Sequence, residues 1–140
     1  MSRVFSKKLS EIQPSQLFIN SKKLSQITAG SNRLVAENIE PIPIKKIQNE
    51  IIFTDGHTRA LAAHLCGIPE VPVYWDEDEL DWGAYQMCVK WCKEEGVYTI
   101  ADLKDRVVSP EKYEIHWLKR CTAMHHDPTV RRHHHKRPDK

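Results

Sequence analysis

No run of apolar residues in this 140-residue chain approaches the roughly 18 that a membrane-crossing helix needs. The opening stretch, Met1-Ser2-Arg3-Val4-Phe5-Ser6-Lys7-Lys8, is too short of apolar residues for a secretory signal. These two absences predict a cytoplasmic protein with no membrane partner. Cysteine is scarce, at four residues, Cys66, Cys88, Cys92 and Cys121. A chain of this length can bury an ordinary core without covalent staples, so they are not expected to form a disulfide framework. Small core thiols are expected instead. Cys88 and Cys92, four residues apart, would share one face of a helix. They lack the two-residue spacing of common zinc knuckles, and no metal site is predicted. No internal repeat is present.

The charge is also nearly balanced, at +2, but it is unevenly spread. Residues 125–140 hold Arg131, Arg132, Lys136, Arg137 and Lys140 against Asp127 and Asp139, together with five of the eight histidines. The folded part is therefore close to neutral, and the basic character falls on a tail without apolar periodicity. Such a tail is expected to be disordered, with counterion-releasing contact to DNA as an alternative role.

What is present reads as an α+β fold. Leu9 to Ile19 alternates loosely and is expected to be extended, broken at Pro14. Asn20-Ser21 should cap a short helix over 22–27, ended by Gly30. Residues 31–38 fit a helical turn or a strand. Pro41-Ile42-Pro43-Ile44 suits an edge strand or a strand start, and residues 45–50 suit a hairpin connection. Glu50-Ile51-Ile52-Phe53-Thr54 is a buried strand by composition, followed by a helix from Thr58 to Cys66 closed by Gly67. Val71 to Trp75 is a further strand. An acidic loop, Asp76 to Glu79, leads to a helix over 81–95 stopped by Gly96. Thr99 with Asp102, and Ser109 with Pro110, mark two more helix starts. The expected organisation is an α+β domain over 1–80, a helical extension over 81–124 packed on it, and the tail over 125–140.

Asp55-Gly56-His57-Thr58-Arg59 stands where the strand feeds directly into the helix. Such a turn leaves the first amide groups of the helix unpaired, pointing where the helix dipole favours negative charge. This is the main-chain route to a phosphate site. Gly56 lets a ligand approach the backbone, Thr58 offers a hydroxyl, and Arg59 offers a permanently charged planar donor. His57 can donate, accept or shuttle a proton. Asp55 could orient Arg59 or His57, or bind a magnesium ion that accompanies a nucleotide.

The stretch from Glu50 to Val73, with Pro41-Ile42-Pro43-Ile44 before it, resembles the core of the ParB/sulfiredoxin superfamily. The likeness covers roughly residues 8–80. It lies in the order of strand, glycine turn, arginine-bearing helix, glycine and Val-Pro-Val strand. At the turn ParB proteins, which bind CTP and load onto centromere DNA, carry Gly-Glu-Arg-Arg. Sulfiredoxins, which use ATP to repair sulfinic acid, carry Gly-Cys-His-Arg. Archaeal ADP-dependent free serine kinases carry Asp-Gly-His-His-Arg, the pattern closest to this chain. His57 replaces the sulfiredoxin cysteine, which excludes sulfinic acid repair.

The resemblance implies a mixed sheet with helices and phosphate contacts from Gly56, His57, Thr58 and Arg59. It also implies a nucleotide cofactor (ATP, ADP or CTP) with Mg2+. A phosphoryl-transfer site needs a base beside the acceptor hydroxyl. The candidates are His57, Asp55, and a carboxylate before the Pro-Ile-Pro-Ile strand, Glu40 or Glu37. The expected function is a small-molecule phosphotransferase or nucleotide hydrolase acting on an unknown acceptor. The alternatives are a DNA-associated ParB-like module of partition or nuclease type, and a non-catalytic nucleotide sensor.

Overall fold

The computed structural model describes residues 3–29 and 34–127. In chain order its elements are β1 (Val4–Lys8), β2 (Ile19–Asn20), α1 (Ser21–Thr28), β3 (Ile42–Ile47) and β4 (Glu50–Phe53). Then come α2 (His57–Leu65), β5 (Glu70–Trp75), α3 (Trp82–Glu94), β6 (Val107–Val108), α4 (Pro110–Tyr113) and α5 (Lys119–His125). A π-helical turn, Glu114–Leu118, joins α4 to α5, and short 3-10 turns fall at Leu9–Glu11, Ala36–Asn38 and Ile100–Leu103. The fold is α+β.

The main sheet has the order β1-β5-β3-β4, and β2 pairs in parallel with β6. Strands β3 and β4 form a hairpin whose two turn residues, Gln48 and Asn49, have φ of 50° and 68°. Two consecutive left-handed residues match the twist of flanking strands. The connection is therefore only this pair; Lys45, Lys46 and Ile47, expected in the loop, belong to β3.

The prolines mislead about β3, which is an interior strand. It pairs with β5 from Ile42 to Ile44 and with β4 only from Ile44 onward. The Pro43 carbonyl accepts the Thr54 amide at 3.2 Å. The proline nitrogen thus faces the β4 side just where β4 has ended, and its missing N–H breaks no rung on the β5 side. On the outer side of β4, Gln13 supplies the pairing: its amide donates to Ile51 at 2.8 Å and its carbonyl accepts from Phe53 at 3.0 Å. The edge is covered rather than left open.

The strand β1 was not anticipated. Only Val4 and Phe5 of its five residues are apolar; as an edge strand it leaves Val4 exposed and turns Phe5 onto Trp75 and the main core. The helix expected at Thr99 is a single 3-10 turn with its capping box intact.

One face of the sheet, through Ile42, Ile44, Phe53, Val71 and Val73, packs under Ala60, Leu61 and Ala63 of α2. Burying a side chain such as Leu61 stabilises by about 1.5–3 kcal/mol. The same cluster continues into Ala84, Cys88 and Cys92 of α3, and on to Trp117 and Met124. A second stripe of α3, Trp82 with Tyr85 and Val89, packs on Ile47 and Ile52 from the opposite sheet face. Residues on both sides of position 80 therefore share one core. Cys88 and Cys92 are core thiols, whereas Cys66 is exposed. Among the described residues no helix is long and apolar enough to cross a membrane. The tail from 128 onward lies outside the described residues.

Candidate functional site

The turn begins where Phe53 ends β4. Gly56 has φ +75°, and a Cβ built there would lie 3.0 Å from Ile42 Cγ2. The position thus needs glycine twice, for its left-handed backbone and for the close approach to the core. Asp55 Oδ1 accepts the Gly56 amide at 2.8 Å. The first intrahelical bond of α2 runs from Ala60 to the Gly56 carbonyl at 2.9 Å. Between these, the amides of His57, Thr58 and Arg59 have no acceptor among the described residues, and no side chain caps the helix. Residues 55–59 line a cavity of ≈ 410 Å³ whose other walls are Lys23, Gln26 and Ile27 of α1, Gln16 and Tyr113. Three free donors, a helix dipole and two cations thus meet in one space.

Arg59 turns toward the start of β3. Its Nη1 donates to the Pro41 carbonyl at 3.0 Å, and its Nη2 lies 3.6 Å from Glu40 Oε2. Glu40 is mostly solvent-exposed, so this pair is worth little and is readily exchanged for a ligand anion. Arg59 also borders a shallower cavity of ≈ 430 Å³ that contains Glu40 and Asp55. Of the two glutamates proposed as bases, Glu40 meets the turn. Glu37 sits on the exposed 3-10 turn and makes no hydrogen bond or ion pair with residues 55–59 among those described.

His57 is enclosed rather than facing solvent, at 4% exposure. Its Nε2 accepts the Ser15 amide at 2.9 Å, and its ring lies 5.5 Å from the Phe53 ring centroid. Because a backbone N–H occupies Nε2, the neutral ring carries its proton on Nδ1. That N–H is buried with no hydrogen-bond partner among the described residues. Burial pushes its pKa down to about 4, against a smaller opposing pull from the Asp55 charge. Accepting a proton would require breaking the Ser15 bond. The geometry therefore fits a neutral donor, not the proton shuttle expected from the residue type.

Behind His57 lies a further cavity of ≈ 320 Å³, bordered by Thr54, Asp81, Tyr85, Trp117, Cys88 and Cys121 among others. Tyr85 donates its hydroxyl to the Thr54 carbonyl at 2.9 Å, and burial pushes its pKa up to about 12. Among the described residues no three His, Cys, Asp or Glu side chains converge to hold a metal ion. Lys23, Gln16, Ser15 and Tyr113 were not anticipated as parts of this region. Each comes from a segment distant in sequence, and only the polar run Gln13 to Gln16 amid apolar residues hinted at a buried polar contact.

No family model and no curated protein matches the chain. The chain is similar in structure to the protein Atu1540 from Agrobacterium tumefaciens, with 11% identity and a TM-score of 0.51 over 74% of this chain. It spans 62% of that protein's length. At this identity the likeness concerns the fold alone.

Proposed function

We propose that this chain is a nucleotide-phosphate-binding domain of the ParB/sulfiredoxin type, with the phosphates held at the start of α2. One observation carries the proposal: the His57, Thr58 and Arg59 amides are left without acceptors in a cavity shared with Lys23. The main chain would supply the fixed donors, Thr58 a hydroxyl, and Arg59 and Lys23 the charge. Asp55 is the cavity's one carboxylate. It fits the usual mode of Mg2+, which takes one or two protein carboxylates and completes its shell from phosphates and water. A calorimetric screen with ATP, ADP, CTP and GTP, with and without magnesium, tests the proposal. Saturable binding of at least one nucleotide, lost on adding excess inorganic triphosphate, is expected. No heat from any of the four would contradict it.

A phosphotransferase or nucleotide hydrolase is the second reading, favoured by Asp55, which lies beside the open amides with no ion pair of its own among the described residues. In that reading Asp55 takes the proton of the attacking hydroxyl. Acceptor-dependent loss of the terminal phosphate, abolished in Asp55→Asn but with nucleotide affinity retained, is the expected signature.

A further inference from the structure

The cavity at the start of α2 and the cavity behind His57 adjoin one another, because Gln16 and His57 border both. One helical segment also runs along the two. Tyr113, the last residue of α4, lines the first cavity, and Trp117, in the π-helical turn, lines the second. Residues four apart lie near one face of a helix, so these two aromatic residues extend a common wall. A π-helical turn is rare and often marks a functional site. Here it carries Trp117, whose ring meets Trp91 edge-on at 6.1 Å and 82°.

The two ends of this trough differ in chemistry. The first offers open amides and cations. In the second the polar groups already serve the protein. The Tyr85 hydroxyl donates to the Thr54 carbonyl at 2.9 Å, and the Ser15 hydroxyl to the Phe53 carbonyl at 2.7 Å. The Thr54 hydroxyl donates to Asp76 at 2.9 Å, and the Gln16 side chain to the Phe18 carbonyl at 2.8 Å. Beside them stand the buried Ala84, Cys88, Trp117 and Met124. Its charged edge is Asp81, 3.5 Å from His125, and a carboxylate there disfavours a second anion. An apolar space of ≈ 320 Å³ with an aromatic wall suits a planar ring.

We propose that the cavity behind His57 is the base subsite of a nucleotide whose phosphates sit at the start of α2, with the base against Trp117. This rests on the phosphate reading above and adds where the rest of the ligand goes. The cavity on the other side of Arg59 is the competing place, since it shares Asp55 and Arg59 with the phosphate cavity. Its walls include the exposed Val4 and Glu40. A wall that stays in water removes little apolar surface when a ring covers it. In the enclosed cavity recognition is by stacking, which every base can satisfy.

The test titrates the full chain by calorimetry with inorganic triphosphate and with ATP, CTP, GTP and UTP. At least one nucleotide should bind about tenfold or more tighter than inorganic triphosphate. Cys121→Phe, at a half-buried position on the cavity wall, should bring that nucleotide down to the level of inorganic triphosphate. The affinity for inorganic triphosphate itself should not change, which also shows that the variant is folded. An amide titration of the unmodified chain decides the matter if the variant fails to fold. There the nucleotide should shift Ala84, Tyr85, Cys121 and the Trp117 indole N–H, and inorganic triphosphate should not. Inorganic triphosphate that does not bind would overturn the phosphate reading and this proposal with it. Inorganic triphosphate that binds as tightly as every nucleotide would overturn this proposal alone, as would base-dependent shifts at Val4 and Tyr74 instead.

Discussion

Two kinds of helix start occur in this molecule. At α1 the Asn20 side chain accepts the amides of Lys22 and Lys23. At α3 Asp81 accepts from Ala84 at 2.9 Å, and at α4 Ser109 accepts from Lys112 at 3.3 Å. At α2 the cap position is Gly56, which has no side chain to offer, and three amides have no acceptor among the described residues. A side-chain cap contributes about 0.5–2 kcal/mol. The open start of α2 thus forgoes stability that α1, α3 and α4 secure. It does so at a start lined by two cations and a cavity large enough for a phosphate group. The difference separates a helix end closed by its own chain from one left open.

The largest expected effect comes from the residue that begins the open helix. His57 titrates at about 4 in the folded chain against 6.5 as an isolated group. Between those values the unfolded chain binds a proton that the folded chain refuses, so stability falls as pH is lowered through that window. At ~1.36 kcal/mol per unit the fall is on the order of 3 kcal/mol. Urea unfolding measured from pH 7 to 4 should show this slope, and His57→Gln should flatten it. An unchanged slope in the variant would mean that the ring is not held neutral.

Gly56→Ala should come next, at about 2 kcal/mol of lost stability, from the left-handed backbone and the contact with Ile42. Denaturation would measure it, and phosphate affinity should fall with it. Arg59→Ala should weaken phosphate or nucleotide binding by about 1.5–3 kcal/mol with little change in melting temperature, and Thr58→Ala by less. Calorimetry decides between that outcome and an arginine that serves only Glu40 and Pro41. The smallest effect sharpens the comparison from the closed side. Asp81→Ala should cost about 1 kcal/mol of stability and leave phosphate affinity unchanged.

Much of the helical framework was readable because its signals are local. Asn20, Asp81 and Ser109-Pro110 mark helix starts, and Gly67 and Gly96 mark ends, within a few residues of chain. The strands were harder. Pro43 argues against an interior strand only until the point where β4 stops is known, and that is a fact of register. Strand β1 has too few apolar residues to announce itself, since its partner β5 supplies the burial. The same division holds at the candidate site. Residues 55–59 are contiguous and could be located by inspection. Lys23, Gln16 and Tyr113 line the cavity from α1, the segment before β2 and α4, all distant from the turn in sequence. The enclosure of His57 depends on the Ser15 amide, 42 residues away, which no local pattern encodes.

The central claim is that the amides of His57, Thr58 and Arg59 receive phosphate. Its most direct test is an amide chemical-shift titration of the full chain with inorganic triphosphate, followed by the nucleotide that binds best. The account predicts saturable shifts at those three amides and at Gly56, with the amide of Ala84 at the capped start of α3 moving far less. Binding that leaves residues 56–59 unmoved, or that shifts all the helix starts alike, would contradict it.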